Sequence, residues 1–333
     1  MSGTRDLRQT ERTRGALPDG IPGVDAAALA GDGTLRDAAV GDVRRACLET
    51  GFFCLDNLLT RSRAHPRVLE RMRHFFARPD DDPVKRAVDV TAEDNTNGWM
   101  PLFGEPAYQP GTLAHVESFD CGRPRRGPGD TTHRRNRWPA IPGFREDVQE
   151  LWREFSDAGF VVLRAIADAL RLGSGLVADS CGTQDLSTLR LLHYPPTDAD
   201  PSSVGIAAHT DFECITLIVQ TSPGLELRDR RGNWYDAPAG ADRIIVLLGD
   251  MLERWTNGTL CATGHRVRSR EYRRYSMVLF FAVDDDVVVE PLAPFVTADN
   301  PSAFGPVRQR DHTREELTRA ESYRDEFAAR PRS

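Results

Sequence analysis

The stretch GIAAHTDFECITLIVQ, residues 205–220, sets His209 and Asp211 two positions apart at the head of an apolar run. An imidazole nitrogen and a carboxylate oxygen are both ligands for divalent first-row metals. With 8 histidines and 50 acidic residues in 333, such a pair should arise roughly once by chance. It arises a second time as His115–Glu117, so the pair alone decides nothing. A third ligand separates the two cases. CATGHRV supplies His265, 54 positions beyond Asp211 and past two expected hairpin turns. His115–Glu117 sits among turn formers, and no later strand carries a matching histidine. Two histidines and one carboxylate with open positions form the facial triad of non-haem Fe(II) oxygenases. A structural zinc site would be closed by a fourth ligand.

Nine positions beyond His265, RRYSMVLFF places Arg274 and Ser276 two apart. On a strand they share a face with Val278 and Phe280, while Tyr275, Met277 and Leu279 take the other. A guanidinium facing an apolar interior is costly unless paired. Its planar fork suits a carboxylate, and a neighbouring hydroxyl adds a donor.

These residues need a frame. Residues 1–20 read as a flexible leader. A helical stretch then runs into a short strand, Gly51–Leu55, and a second helix is expected over Arg61–Ala77, ended by Arg78-Pro79-Asp80. Residues 90–142, rich in Gly, Pro, Asn and Thr, predict irregular structure. A long helix over Phe144–Leu172 carries Val148, Leu151, Phe155, Phe160, Leu163, Ile166 and Leu170 as a core-facing stripe. From Ser187 short strand-like runs alternate with turns, among them a hairpin at Leu225–Trp234. That texture suggests a sandwich or jelly roll. HTREELTRAESYRDEFAARP returns to helix. One domain over 21–330 is expected: a helical, substrate-facing portion to about 185, a β core to about 290 and a C-terminal helical segment. Within it, Asp250 is expected to cap a helical turn, Cys214 to fill core, and His193 to point away from the metal.

Taken in order, the chain resembles the isopenicillin-N-synthase-like family of Fe(II)- and 2-oxoglutarate-dependent dioxygenases. ETGFFCLDN, HFFARPDDDPVKRAV, NGWMP, HVESFDCG, LRLLHYPP, AAHTD, GDMLERWTNGTLCATGHRV and RYS follow one another as they do in that family. The resemblance implies an α+β fold with a mainly β core, a double-stranded β-helix flanked by N-terminal helices and a C-terminal helix. It implies that His209, Asp211 and His265 bind Fe(II), and that Arg274, Ser276 and Tyr194 hold the distal carboxylate of 2-oxoglutarate. Trp99, Met100, Phe103 and Phe212 fall where it puts substrate-facing residues. With O2, such an enzyme oxidises an unactivated C–H of a small-molecule metabolite and releases succinate and CO2. Hydroxylation is the default; desaturation, cyclisation, ring expansion and epoxidation are variants. Leu192 stands where many members place asparagine. Two rivals remain: a 2-oxoglutarate-independent oxidase of the isopenicillin N synthase type, whose glutamine-bearing C-terminal tail has no match in DEFAARPRS, and a non-catalytic jelly-roll protein that binds or senses a carboxylate.

Composition agrees with an ordinary globular enzyme: 40% hydrophobic, 28% charged, formal net charge −7. No basic field is present to attract nucleic acid. The six cysteines, Cys47, Cys54, Cys121, Cys181, Cys214 and Cys261, form no C-x-x-C pair. The polar start lacks the apolar core of a signal peptide, and no run reaches the roughly 18 apolar residues of a membrane span. A monomer in the reducing cytoplasm is the resulting expectation.

Overall fold

The computed structural model describes residues 20–58, 62–91, 96–127, 130, 135–173, 175, 179–197, 204–240 and 243–328. Apart from Gly20, the leader expected over 1–20 lies outside the described residues. In chain order the strands are β1 (Gly23–Asp25), β2 (Phe52–Asp56), β3 (Thr96–Asn97), β4 (Trp99–Met100), β5 (Glu117–Gly122), β6 (Arg135–Asn136), β7 (Thr188–Tyr194) and β8 (Val204–His209). They continue as β9 (Ile215–Gln220), β10 (Leu225–Arg228), β11 (Trp234–Asp236), β12 (Arg243–Leu248), β13 (His265–Arg268), β14 (Arg274–Phe281), β15 (Val288–Val289) and β16 (Val307–Arg308).

The larger sheet runs β1-β2-β12-β9-β14-β7-β5-β4, and the smaller runs β11-β10-β13-β8. From β7 to β14 the chain alternates between the two sheets, with β10 and β11 as one hairpin of the smaller, which is the winding of a double-stranded β-helix. β3 with β6 and β15 with β16 form two-stranded pairs outside it. The hairpin expected at Leu225–Trp234 is the β10–β11 pair.

Strand periodicity divides the core. On β14, Tyr275, Met277, Leu279 and Phe281 join a cluster with the helices, while Val278 and Phe280 pack between the sheets with Leu192, Ile218 and Val267. The helical layer comprises α1 (Ala26–Ala30), α2 (Gly33–Glu49), α3 (Ala64–Phe76), the short α4 (Pro83–Arg86) and α5 (Phe144–Ala169). The strand after α2 starts one residue later than expected, because Gly51 makes the turn into it at φ 89°. α5 buries Val148, Leu151, Phe155, Leu163 and Ile166. Gly159 lets it lie flat on β14, since a Cβ there would stand 2.3 Å from the Phe281 ring. A short helix, Asp250–Trp255, and a C-terminal helix, Gln309–Ala328, complete the chain. No helix among the described residues is long and apolar enough to cross a membrane.

Candidate active site

β8 ends on His209 and β13 begins on His265, and the sheet register sets the two opposite each other. Their rings lie 4.2 Å apart between centroids. Asp211 is not on the strand with His209, as period-two spacing would have it; it stands in the turn after β8. Backbone bonding puts it there. Its carbonyl accepts from Asp250 N at 2.9 Å, so the start of the Asp250–Trp255 helix closes on the turn. Gly249 permits that approach, because a Cβ would lie 2.2 Å from Glu213 O. Gly249, and not Asp250, is the cap of this helix. Asp250 instead receives His312 Nε2 from the C-terminal helix at 2.8 Å.

The three side chains converge. Asp211 Oδ1 lies 3.8 Å from His209 Nε2 and 3.7 Å from His265 Nε2. One ligand atom from each falls within 4.8 Å of the others. Bonds of about 2.1 Å at right angles would place donors about 3 Å apart, so a small contraction onto one ion suffices. Each imidazole is oriented from behind: His209 Nδ1 meets Ala207 O at 2.8 Å and His265 Nδ1 meets Thr263 O at 3.1 Å. A carbonyl there requires the proton on Nδ1, which leaves Nε2 as a lone pair aimed at Asp211. Burial first, then His265, holds His209 well below the usual 6.5, so it is a neutral imidazole at physiological pH. Thr216 Oγ1 donates to Asp211 Oδ2 at 2.5 Å, which leaves Oδ1 facing the histidines.

Arg274 starts β14 opposite Tyr194 of β7. It is 2% exposed and lies over the Tyr194 ring at 4.4 Å. Gln220 Oε1 accepts from its Nε at 3.0 Å and from its Nη2 at 2.7 Å, and Ser222 O accepts from Nε at 3.2 Å. Nη1 is buried with no partner. An arginine fixed on one edge and vacant on the other fits an incoming carboxylate. Ser276 Oγ, on the same strand face, donates to Val219 O at 3.2 Å. Tyr194 is pushed up by burial and so is a neutral hydroxyl. His209, Asp211, His265, Arg274, Ser276 and Tyr194 all line one cavity of about 40 Å³. Leu192, in the place of the family's asparagine, lines it too.

A second cavity of about 530 Å³ shares Tyr108, Arg190, His209, Asp211 and Phe280 with the first. Phe212 lines it, but Trp99, Met100 and Phe103 do not. Trp99 is fully buried, and its indole N–H donates to Glu117 Oε2 at 2.8 Å. Phe103 is 44% exposed and packs on the His115 ring. The rival pair His115–Glu117 is likewise no ligand set: Glu117 receives Lys85 at 2.9 Å and His193 at 2.7 Å. His193, as expected, stacks between Phe76 and Tyr275 on the helical face.

Several residues of the two cavities were not singled out from the sequence. Tyr108 stacks on His209 at 4.0 Å and 7°, from a loop whose sequence carries no periodic signal. Arg190 shares its strand face with Leu192 and Tyr194, so period two would have found it. The C-terminal helix contributes Gln309, Thr313, Leu317 and Glu321 to the cavity wall at helical spacing.

Residues 186–283 match the model of the 2OG-Fe(II) oxygenase superfamily. Residues 21–141 match that described as non-haem dioxygenase in morphine synthesis N-terminal. The chain belongs to the 2OG-Fe(II) oxygenase superfamily. The 2-oxoglutarate-dependent dioxygenase citB of Monascus ruber is 33% identical over 273 residues, 76% of this chain and 81% of its own. The proline hydroxylase buaE of Petromyces alliaceus is 34% identical over 251 residues, 69% and 76% of the two chains. Among solved structures, a full-length Neurospora crassa protein in complex with alpha-KG superposes with a TM-score of 0.78 at 25% identity, covering 90% of this chain and 96% of that one. A 2OG-Fe(II) oxygenase family protein from Caulobacter crescentus gives 0.78 at 29%, covering 90% and 99%. The jelly roll is therefore the family's, and the chain is an Fe(II)- and 2-oxoglutarate-dependent dioxygenase acting on a small molecule. Neither the 2-oxoglutarate-independent oxidase nor the non-catalytic binder is favoured.

Proposed function

We propose that His209, Asp211 and His265 hold the iron, and that Arg274, Ser276 and Tyr194 hold the distal carboxylate of 2-oxoglutarate. One observation carries this reading: all six side chains line the same narrow cavity, and one of them, Arg274, keeps a buried guanidinium nitrogen unpaired. Iron and 2-oxoglutarate, when bound, supply the oxidation, which consumes O2, releases CO2 and succinate, and hydroxylates a C–H of the substrate. The chain's own contribution is placement. Ala207 and Thr263 fix the tautomers of the two histidines, Thr216 orients the carboxylate, and Gln220 orients Arg274. The substrate occupies the larger cavity, with Phe212 and Tyr108 beside the triad. Six free cysteines, five of them buried, support a reducing compartment. A net charge of −7 supports a small-molecule partner over nucleic acid.

The test is oxygen uptake with stoichiometric succinate formation on adding Fe(II), 2-oxoglutarate and a substrate. His209→Ala and Asp211→Ala abolish turnover and leave the circular dichroism of the fold intact. Wild-type succinate yield in either variant would remove that residue from the metal site.

A further inference from the structure

The charges around the 530 Å³ cavity do not balance. Four arginines reach its wall, and each already faces an acid. Arg190 gives Nε and Nη2 to Asp120 at 2.8 Å each and Nη1 to Glu105 at 3.0 Å. Arg123 is clasped by Asp130 and Asp185. Arg310 pairs with Asp285, and Arg314 lies 3.6 Å from Asp311. Two carboxyl groups of the wall, Glu213 and Glu321, have no such cation, and burial, then Asp211, pushes Glu213 up to about 8. Neither makes an ion pair with any described residue. Asp211 is left out of this count, because iron answers its charge.

An amide carbonyl is in the same position. Gln309 donates through Nε2 to Phe212 O at 2.8 Å and to Thr313 Oγ1 at 3.1 Å. Its Oε1 is buried and has no donor. Next to these acceptors, Tyr108, Phe212 and Phe280 bring ring surface to the triad. An anion placed here would meet carboxyl groups and arginines already engaged. An ammonium would bring three donors to acceptors that lack them.

We propose that the substrate is an amine, its protonated nitrogen held by Glu213 and Gln309 Oε1 and its carbon skeleton against Tyr108, Phe212 and Phe280. This rests on the oxygenase reading, which makes the cavity the substrate site.

The test is calorimetric titration, without oxygen, of the protein loaded first with Fe(II) and then with 2-oxoglutarate. Three probes share one skeleton: 2-phenylethylamine, 2-phenylethanol and 3-phenylpropanoate. The amine binds tighter than either other probe by about tenfold or more, as expected of a charge-assisted contact in a shielded site. Glu213→Gln removes about tenfold from the amine and changes the alcohol by less than about threefold. A carboxylate that binds as tightly as the amine, no preference among the three, or an equal loss for all in Glu213→Gln overturns the proposal. Failure of 2-oxoglutarate to bind in the first stage would instead overturn the oxygenase reading.

Discussion

Replacing Thr216 by valine removes one hydroxyl and keeps the volume and the β-branch that suit its place on β9. Thr216 is fully buried and Asp211 is 5% exposed, so water cannot take over the lost bond. A hydrogen bond to an ionised group is worth about 1.5–3 kcal/mol, and an acceptor left bare in the interior costs a similar amount. The metal-free variant is therefore expected to lose about 1.5–3 kcal/mol of stability. Metal affinity tests something further. If the hydroxyl serves only the fold, it stabilises the free and metal-bound states alike, and the dissociation constant stays put. If it holds Oδ2 so that Oδ1 faces His209 and His265, the variant must also pay for orienting a free carboxylate. Partners of metal ligands typically contribute 10- to 100-fold in affinity, about 1.4–2.8 kcal/mol. Anaerobic calorimetry with Fe(II) on wild type, Thr216→Val and Thr216→Ser reads this directly. Serine keeps the hydroxyl and is expected to bind metal within a few fold of wild type. A Thr216→Val protein that melts earlier yet binds iron like wild type would refute the orienting role.

Arg274→Lys replaces the planar fork by a point charge that cannot face Gln220 and a carboxylate together. The KM for 2-oxoglutarate is expected to rise about 100-fold with iron affinity unchanged; an unchanged KM would place the cosubstrate elsewhere. Gly159→Ala puts a methyl 2.3 Å from the Phe281 ring and is expected to cost about 1–3 kcal/mol in urea unfolding; a wild-type midpoint would mean α5 shifts freely on the sheet. For pH, burial holds His65, His115 and His209 below their usual 6.5. As pH falls through 6.5 the unfolded chain takes up protons that the folded chain does not. Stability of the metal-free protein is thus full above that pH and declines below it. His209→Asn is expected to flatten the decline between pH 7.5 and 5.5; an unaltered slope would mean His209 is protonated in the fold.

The site was legible where its residues lie on strands or follow the family's order. Arg274 and Ser276 share a face because β14 is extended, and the same alternation separates Val278 from Tyr275. His209 and Asp211 came together for a different reason from the one the spacing suggests. Asp211 leaves the strand, and it is the Asp250 amide and Thr216 hydroxyl that return it to His209. Those partners lie 39 and 5 positions away, beyond the reach of any periodic pattern. Of the residues expected to face substrate, Phe212 lines the larger cavity and Trp99, Met100 and Phe103 do not. Trp99 is large and apolar, and nothing local shows that its N–H will be claimed by Glu117 on the helical side of the sheet. Tyr108 could be placed on His209 only by knowing how an irregular loop folds back.

The pieces hardest to read are also those that the sheet register constrains least. Sheet register fixes His209, His265 and Arg274 at strand ends, so a change there disturbs backbone pairing. The larger cavity has different walls. Tyr108 comes from a loop, and Gln309, Thr313, Leu317 and Glu321 come from a helix that lies outside residues 186–283 matched by the oxygenase model. That helix is tied to the triad's surroundings at two points, His312 to Asp250 and Gln309 to Phe212 O. Its exposed remainder can change sequence without touching the metal. A wall of this kind lets one oxidising centre serve different substrates, because selection is made by side chains that the centre does not need.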